Sequence, residues 1–347
     1  MKDLSGKNIL VTGGCGSIGS YLVKEILEHD PAVVRVLDNN EEGLFKLKKE
    51  LGAETPTRYL LGDIRDRDRL ENAMENIDVV FHAAALKHVT LNEYNPFETV
   101  QTNVEGTQNL IQAALEEEVE SFVAVSTDKA SNPTSVMGAT KLLSERLVIA
   151  ANTYKGERDT RFGCVRFGNV LGSSGSVIPL FLDQIRSGGP VTVTDPAMTR
   201  FIMPIREAAQ LVIEAHEKMT SGEIFVLKMP AFRVGTLAEA MIEEYAPKYG
   251  YDQTEINIKI IGSRPGERVH EKLISADETS QARELEDMYV ILPEIELTGY
   301  NEVNYSSEKR ISDEYTSEDT DILTGKETIN LIENTIDGVN NGEEIRK

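Results

Sequence analysis

The sequence contains no tryptophan and only two cysteines, Cys15 and Cys164, in 347 residues. Two cysteines cannot supply the disulfide framework of a small secreted protein, so we expect a cytoplasmic protein in a reducing compartment. No apolar run reaches the roughly 18 residues that a membrane-spanning helix needs, and the N-terminus enters a predicted strand without a signal-peptide pattern. No group of His and Cys residues has metal-ligand spacing, so no metal site is predicted.

Basic residues are scarce relative to acidic ones. The chain has 36 Lys and Arg against 58 Asp and Glu, which gives a formal net charge of −22. A field of this sign repels nucleic acids and anionic membranes, so neither is an expected partner. With 40% hydrophobic and 27% charged residues, the composition is that of a globular protein with a full core in one large or two medium domains.

Short apolar segments alternate with helix-like segments in the first half of the chain. We predict strands at 8–12, 33–37, 59–61, 78–82, 122–126 and 162–167, with helices between them that include one continuous helix at 96–116. This alternation predicts the α/β class, with a Rossmann-type doubly wound parallel sheet and a smaller C-terminal α/β domain. The predicted boundaries are 1–170 with return elements near 190–230, then 171–297, and an acidic C-terminal extension at 298–347.

A glycine-rich turn follows the first predicted strand. Gly13, Gly16 and Gly19 have the spacing G-x-x-G-x-x-G and open an apolar-periodic helix. A turn of this kind needs positive φ and lets the backbone approach a pyrophosphate closely. Asp38 ends the second strand about 20 residues later, where a carboxylate binds ribose hydroxyls and repels a 2′-phosphate. The pattern therefore predicts a dinucleotide site that favours NAD over NADP.

The most informative stretch is 121–141, a strand followed by a break at 132–133 and a new helix. Asp128 and Lys129 come just after the strand, at the end where open α/β sheets bind ligands. Met137 and Lys141 lie one helical turn apart and point the same way. A thioether cannot donate or accept a proton as a phenol can. Taken alone, Asp128 and Lys129 could also be a surface ion pair that caps a loop.

This stretch resembles the active-site segment of the short-chain dehydrogenase/reductase superfamily, in its extended, nucleotide-sugar branch. That superfamily has Tyr-x-x-x-Lys where this chain has Met137-x-x-x-Lys141. Further motifs narrow the resemblance to the UDP-N-acetylglucosamine 4,6-dehydratases of polysaccharide biosynthesis, over roughly residues 7–295, and several members of that group also replace the tyrosine with methionine. These motifs lie at 126–130, 137–141, 166–172, 198–201 and 264–267.

The resemblance implies a bound NAD, with a smaller C-terminal domain that binds the nucleotide-sugar. The implied cofactor residues are Gly13, Gly16, Ser17, Ile18, Gly19, Asp38, Asn39, Asp63, Ile64, Ala83, Ala84, Ala85, Asn103 and Lys141. The implied substrate residues are Lys87, Asn169, Val177, Arg200, Arg264 and Glu267. Guanidinium groups match phosphate oxygens well, but structural ion pairs are the alternative for the charged members of this set.

The implied reaction is redox-neutral: a hydride moves from carbon 4 of the sugar to NAD, water is lost across carbons 5 and 6, and the hydride returns to carbon 6. By analogy Asp128 is the acid at the 6-hydroxyl and Lys129 is the base at carbon 5. Thr127 binds the 4-oxygen, Lys141 binds the nicotinamide ribose, and Met137 occupies the tyrosine position. Either a water relay or Asp128 takes the proton of the 4-hydroxyl.

Two other functions share this fold. A UDP-sugar 4-epimerase needs no base at carbon 5 and keeps the tyrosine, so Met137 beside Asp128 and Lys129 argues against it. A non-catalytic NAD(P)-sensing regulator would tolerate Met137, but it would not need Asp128, Lys129 and Lys141 together. The resemblance also implies a homo-oligomer. The stereochemistry at carbon 5 is not readable from motifs: the segment 170–174 looks closer to the retaining enzymes, which we favour, whereas the lack of a membrane domain in this sequence resembles the inverting ones.

Overall fold

The computed structural model describes residues 4–172, 177–263, 266–295, 297, 305 and 307–340, with the backbone alone for 336–340. The chain divides into two compact units that interleave along the sequence. Unit 1 contains the described residues of Met1–Phe167, Arg206–Lys228 and Leu273–Glu314. Unit 2 contains those of Gly168–Ile205, Met229–Lys272 and Tyr315–Lys347. The assignment of separate functions to the predicted segments stays a prediction.

The strands follow the predicted positions closely in the first half of the chain. In chain order they are β1 (Asn8–Thr12), β2 (Val33–Asp38), β3 (Thr57–Leu61), β4 (Val79–His82), β5 (Ser121–Thr127), β6 (Arg161–Phe167), β7 (Asn169–Leu171), β8 (Val191–Val193), β9 (Thr199–Pro204), β10 (Ile224–Leu227), β11 (Ala231–Arg233), β12 (Ile258–Ile260), β13 (Lys272–Ile274), β14 (Ala282–Glu284), β15 (Met288–Ile291), β16 (Lys309–Arg310) and β17 (Tyr315–Thr316).

The α-helices are, in chain order, α1 (Ser17–Leu27), α2 (Glu41–Leu51), α3 (Arg67–Met74), α4 (Val89–Tyr94), α5 (Pro96–Val100), α6 (Gly106–Glu116), α7 (Val136–Tyr154), α8 (Val177–Arg186), α9 (Ile205–Lys218), α10 (Val234–Tyr245) and α11 (Gly325–Asn340). Among the helices of the described residues, none combines the length and the apolar composition needed to cross a bilayer.

Unit 1 is built on a ten-stranded sheet. Its strand order is β16-β14-β15-β10-β6-β5-β4-β1-β2-β3. The seven strands from β10 to β3 run parallel to their neighbours, and β15, β14 and β16 add an antiparallel edge. The predicted doubly wound parallel sheet is therefore confirmed. Because the chain order reverses between β1 and β4, the crevice at their carboxyl ends is the expected ligand site.

The sequence explains why these strands form the centre of unit 1. Val11, Phe81 and Val123, on three adjacent strands, are almost completely buried. Strands covered by helices on both faces are continuously apolar rather than alternating, and β1, β4 and β5 have this composition. The helices begin at polar caps: the side chain of Asn40 accepts a hydrogen bond from the Gly43 amide at the start of α2.

One predicted helix is wrong in detail. The segment 96–116 was expected to be a continuous α-helix, but a π-helical turn at Gln101–Glu105 separates α5 from α6. The i→i+5 hydrogen bonds of such a turn admit an extra residue, which rotates the side chains that follow. Periodicity alone does not reveal that insertion, because the apolar pattern continues on both sides of it. Asn103 lies in the middle of this turn.

Unit 2 has its own core around small sheets and helices. The strands β7, β9 and β11 form one sheet, and β8 pairs with β12. Phe181 of α8, Leu237 and Met241 of α10, and Ile332 of α11 are among the buried residues of one apolar cluster. The acidic C-terminal extension therefore contributes α11 to the core of unit 2.

Candidate functional site

The glycine turn after β1 packs directly against the end of β4. Gly13 has φ of +66°, and a Cβ placed on it would lie 2.6 Å from the Cα of Ala84. Both the backbone angle and the contact require glycine at this position. A Cβ on Gly19 would overlap the carbonyl oxygen of Gly13. Two of the three motif glycines are thus fixed by local geometry, as the sequence predicted.

The first turn of α1 faces this glycine turn with its amides. Gly16 is the N-cap residue and makes no side-chain cap, while Ser17 and Ile18 form the first turn of the helix. The amides at a helix N-terminus carry partial positive charge and bind phosphate groups. No acidic residue lies in this first turn to compete with an anion. The turn and the helix are therefore suited to the pyrophosphate that the sequence predicted.

The carboxylate of Asp38 lies at the end of β2 and supports the same turn. Its Oδ2 accepts a hydrogen bond from the Cys15 amide at 2.9 Å, and its Oδ1 accepts one from the Asn40 amide at 3.0 Å. An ionised carboxylate can accept further hydrogen bonds from ribose hydroxyls. The structure thus places the predicted acidic residue beside the glycine turn.

A partly open cavity of about 280 Å³ lies at the carboxyl ends of β1, β2, β3 and β4. It is lined by Gly13, Cys15, Gly16, Leu37, Asp38, Asn39, Asn40, Gly62, Asp63, Ile64, Ala83, Ala84, Ala85, Leu86 and Thr102. Nine of the predicted cofactor residues are in this lining, whereas Ser17, Ile18, Gly19, Asn103 and Lys141 are not. The sequence did not single out the six other lining residues, although each is a direct chain neighbour of a predicted one: Cys15, Leu37, Asn40, Gly62, Leu86 and Thr102.

Asp63 provides a fixed negative charge at the edge of this cavity. The Arg65 guanidinium binds it through two hydrogen bonds, Nε to Oδ1 at 3.0 Å and Nη2 to Oδ2 at 2.6 Å. These hydrogen bonds hold the pKa of the Asp63 carboxyl below its usual value. Asp63 is therefore ionised at neutral pH, with Arg65 orienting it.

Asn103 connects the cavity wall to α7 through its amide group. Its Oδ1 accepts from the Leu86 amide at 2.8 Å, and its Nδ2 donates to the Leu86 carbonyl at 3.1 Å and to Thr140 Oγ1 at 3.1 Å. The π-helical turn gives the side chain this direction. Asn103 therefore holds the segment after β4 in place rather than lining the cavity itself.

The end of β5 brings three predicted catalytic residues together. Thr127 Oγ1 donates to Asp128 Oδ1 at 2.7 Å, and Lys129 Nζ lies 3.0 Å and 3.2 Å from the two carboxylate oxygens. Asp128 is only 1% exposed, whereas the Lys129 side chain is 29% exposed. A hydroxyl, a buried carboxylate and a partly exposed amine thus form one hydrogen-bonded set.

The start of α7 packs against this set. A Cβ on Gly138 would overlap the carbonyl oxygen of Lys129, so the helix can approach the turn only with glycine there. Met137 is buried, which agrees with a packing role for its thioether. Lys141 Nζ donates to the Val125 carbonyl at 2.6 Å, and burial lowers the pKa of this lysine.

A buried histidine that the sequence reasoning did not select lies between β1 and α6. His82 Nδ1 is 2.7 Å from Thr12 Oγ1, and Nε2 is 3.0 Å from Thr107 Oγ1. Burial, with the charge of Lys141 as the second cause, lowers the pKa of His82 to about 3. This neutral histidine holds the strand end that precedes the predicted Ala83–85 contacts. The sequence indicated His82 only through its position, directly before the three alanines.

The predicted substrate residues lie on both units. Lys87 is exposed after β4 in unit 1, and Asn169 begins β7 and Val177 begins α8 in unit 2. Arg200 is buried in unit 2, where Nη2 donates to Glu267 Oε1 at 3.3 Å.

Two further observations bear on these substrate predictions. Arg200 also donates to the carbonyls of Thr199 and Val269, and its Nε lies 3.6 Å from Glu271, so it has the contacts of a structural ion pair, while its role toward a diphosphate stays a prediction. Arg264 lies outside the described residues.

Comparison with known proteins identifies relatives over most of the chain. A family model described as a polysaccharide biosynthesis protein matches residues 9–293. The chain is 60% identical over 287 residues to an uncharacterised membrane protein of Methanocaldococcus jannaschii, covering 83% of this chain and 86% of that protein. It is 42% identical over 295 residues to an inverting UDP-N-acetylglucosamine 4,6-dehydratase of Campylobacter jejuni, covering 84% and 85%. The predicted resemblance is confirmed.

A third relative carries a different name. The chain is 36% identical over 332 residues to a protein of Rickettsia canadensis named UDP-glucose 4-epimerase, covering 94% of this chain and 95% of that protein.

Solved structures agree with the fold. Pen from Bacillus thuringiensis superposes with a TM-score of 0.88 at 44% identity, covering 95% of this chain and 98% of that one. DesIV from Streptomyces venezuelae, a dTDP-glucose 4,6-dehydratase with NAD bound, superposes with a TM-score of 0.66 at 26% identity, covering 76% and 86%.

Proposed function

We propose that this chain, which belongs to the family of polysaccharide biosynthesis proteins, is a nucleotide-sugar 4,6-dehydratase that acts on UDP-N-acetylglucosamine and is a hydro-lyase. The name of the Campylobacter jejuni relative supports the substrate and the reaction. The observation that carries the proposal is the hydrogen-bonded set of Thr127, Asp128 and Lys129 at the end of β5. It supplies an acid and a base at the end of the sheet where α/β proteins bind ligands.

NAD is the proposed cofactor, and when bound it supplies a reversible hydride acceptor. The residues fit it: Gly13 leaves room beside Ala84 where any Cβ would collide, and the amides of α1 suit a pyrophosphate. Asp38 is placed to accept from ribose hydroxyls and would repel a 2′-phosphate, which favours NAD over NADP. The NAD bound in the solved DesIV structure supports the same cofactor.

Thr127 and Asp128 are the proposed acceptors of the 4-hydroxyl proton, since Met137 occupies the position of the tyrosine. The Thr127 hydroxyl donates to Asp128 at 2.7 Å, so it can accept a proton from a sugar hydroxyl while passing its own to the carboxylate. Asp128 becomes protonated in this step. In this proposal no water molecule is required, because the Thr127 hydroxyl would itself pass the proton to Asp128.

Asp128 then delivers that proton to the departing 6-hydroxyl, which leaves as water. The proton from oxygen 4 is thus the proton that leaves with oxygen 6, and the carboxylate returns to its starting state. This transfer agrees with the stoichiometry, because the products are a ketone at carbon 4, which has lost its hydroxyl proton, and one molecule of water. Asp128 serves first as base and then as acid, as a single buried carboxylate can.

Lys129 is the proposed base at carbon 5. In the resting structure its ammonium group pairs with the Asp128 carboxylate. When Asp128 takes up the proton of the 4-hydroxyl, the attraction that stabilises the Lys129 ammonium disappears, and its pKa falls. The side chain is 29% exposed, so it can lose its proton to water and then remove the acidified proton at carbon 5.

The remaining predicted residues have positioning and binding roles in this proposal. Lys141 binds the nicotinamide ribose, and Met137 fills space that a phenol would otherwise occupy. For the nucleotide, the contact between Arg200 and Glu267 supports a role for Arg200 in orienting Glu267 toward the uridine ribose. Lys87 and Asn169 contact the sugar or the phosphates, Val177 contacts the sugar-nucleotide, and Arg264 contacts the diphosphate.

The test is incubation with UDP-N-acetylglucosamine in deuterated water, with and without added NAD, followed by mass spectrometry and NMR. The proposal predicts a product that has lost one water and carries deuterium at carbon 5. Lys129→Ala should give neither dehydration nor exchange at carbon 5. Lys46→Ala, which alters an exposed lysine on α2, should behave as the wild type. Full activity of Lys129→Ala would refute the assigned base.

A 4-epimerase is the second candidate, and the Rickettsia canadensis relative favours it. Epimerisation leaves the mass of the substrate unchanged, moves its chromatographic position and introduces no deuterium at carbon 5. The same incubation therefore separates the two enzymes. An unchanged substrate that nevertheless binds with NAD would instead favour the non-catalytic regulator.

A further inference from the structure

Arg166 is fully buried on β6, and each of its N–H groups has a partner. Nε and Nη2 donate to the two oxygens of Glu145 at 3.1 Å and 2.8 Å. Nη2 and Nη1 donate to the two oxygens of Glu278 at 2.9 Å and 3.0 Å, and Nη1 donates to the Leu273 carbonyl at 2.8 Å. A guanidinium has five N–H donors, so this arginine is saturated.

The three side chains of this cluster do not balance in charge. One guanidinium lies between two buried carboxylates, Glu145 at 1% and Glu278 at 9% exposure, which leaves one excess negative charge. A buried charge without a partner is strongly unfavourable. Lys141 is also buried, at 8% exposure, and precedes Glu145 by one turn of α7. Side chains four residues apart on a helix lie on the same face, so Lys141 is the cation on α7 that is close enough to balance this charge.

The other titratable groups that face Lys141 are uncharged at neutral pH. Burial lowers the pKa of His82 to about 3 and raises the pKa of the Cys164 thiol well above its usual range. Burial also lowers the pKa of Lys141, and the charge of Glu145 is the largest opposing influence. The Glu145 carboxylate therefore opposes the effect of burial on the pKa of Lys141.

We propose that Glu145, fixed by Arg166 and Glu278, is a positioning residue that holds Lys141 as a buried ammonium ion at the end of β5. The hydrogen bond from Lys141 Nζ to the Val125 carbonyl, two residues before Thr127, sets the location of that charge. A positive charge there favours loss of the 4-hydroxyl proton through Thr127. This inference rests on the proposed function for its catalytic meaning, but the charge balance can be tested without turnover.

The cluster offers a matched pair of variants. Glu145→Gln and Glu278→Gln each remove one carboxylate charge from Arg166, but only Glu145 is one turn from Lys141. In Glu145→Gln the alkaline limb of the kcat/KM profile against pH should move down by about one pH unit, the scale of a nearby buried charge. In Glu278→Gln the shift should be clearly smaller, because this carboxylate binds Arg166 but is not a helical neighbour of Lys141. Equal shifts in both variants, or none in Glu145→Gln, would overturn the proposal.

A second measurement covers the case in which Glu145→Gln does not fold or the enzyme shows no turnover. Lys141→Met leaves the cluster with its excess negative charge, so a carboxyl of the folded variant has a raised pKa. A group of this kind binds its proton more tightly when folded, and stability is lost as pH rises from about 4.3, its unfolded pKa, through the raised folded value. The Tm deficit of Lys141→Met relative to the wild type should therefore grow over that range.

The control for this measurement is Lys46→Met, on the exposed face of α2, whose Tm should follow the wild type at each pH. A Tm deficit of Lys141→Met that is the same at every pH would mean that only packing was lost and would contradict the charge balance. Because this result needs no substrate, it separates failure of the inference from failure of the proposed dehydratase activity.

Discussion

The carboxylate of Asp38 accepts a hydrogen bond from the amide of Cys15, 23 residues earlier in the chain, at 2.9 Å. The contact joins the end of β2 to the glycine turn after β1. The residue proposed to recognise the ribose therefore also holds the turn proposed to receive the pyrophosphate. Substitutions at Asp38 change both functions, and the choice of replacement can separate them.

Asp38→Ala should weaken NAD binding by about 10- to 100-fold, since hydrogen bonds to a charged group contribute about 1.5–3 kcal/mol. Asp38→Asn keeps an oxygen that can accept from the Cys15 amide but removes the charge, so it should lose less affinity for NAD and gain tolerance for NADP. Calorimetric titration with both dinucleotides measures this. Unchanged NAD affinity in Asp38→Ala would remove Asp38 from the cofactor site.

Gly13→Ala should lose NAD binding and lower the Tm, because the new methyl group would lie 2.6 Å from the Cα of Ala84. Gly52→Ala is the matched control: it also has positive φ, at +80°, but nothing lies within 4 Å of its Cβ position. The control should show only the backbone cost, about 1–3 kcal/mol at φ +80° and ψ 176°, and bind NAD normally. Equal effects of the two changes would mean that the contact with Ala84 is unimportant.

Thr127→Val should lower kcat by about 10²- to 10⁴-fold, because it removes the hydroxyl that passes a proton to Asp128 but keeps the shape of the side chain. Thr127→Ser keeps the hydroxyl and should retain most of the activity. Stopped-flow absorbance of the reduced nicotinamide reports the first hydride transfer directly. A normal rate in Thr127→Val would mean that a water molecule, and not Thr127, transfers the proton.

Four large apolar side chains are exposed on α4 and α5: Leu91 at 60%, Tyr94 at 84%, Phe97 at 79% and Val100 at 40%. Exposed patches of this kind mark interaction surfaces, and we infer that this one pairs with a second copy of the chain. Phe97→Glu should therefore lower the oligomeric mass in light scattering. Phe45→Glu, at a 65% exposed phenylalanine on α2, should not. A wild-type monomer at micromolar concentration would refute the pairing.

The sequence predicted the parts of this protein that local patterns encode. The strands β1, β2 and β4 to β6 follow from apolar runs, and Gly13 follows from its spacing between a strand and a helix. Asp38 could be predicted because the distance from the glycines to the next strand end is nearly constant in this fold. The hydrogen-bonded set at Thr127 followed from a resemblance, since no periodicity indicates it.

Long-range pairings could not be predicted. Arg166 appeared only as part of a motif, because its partner Glu278 lies 112 residues away and no local pattern connects them. The π-helical turn around Asn103 was missed because one inserted residue leaves the apolar pattern almost unchanged. In the same way, the acidic composition of residues 298–347 did not indicate a contribution to a core, yet Ile332 on α11 is 1% exposed in the core of unit 2.

The antiparallel edge of the unit 1 sheet has a consequence for protein synthesis. The strand β10 pairs with β6 on one side and with β15 on the other, and β15 is made much later than β10. A nascent chain that has emerged only as far as β10 presents an unpaired row of backbone groups, which is a template for intermolecular pairing. Premature termination before Met288 therefore yields fragments that we expect to aggregate. During normal synthesis, ribosome-associated chaperones can shield the unpaired backbone groups of β10 until β15 has been made.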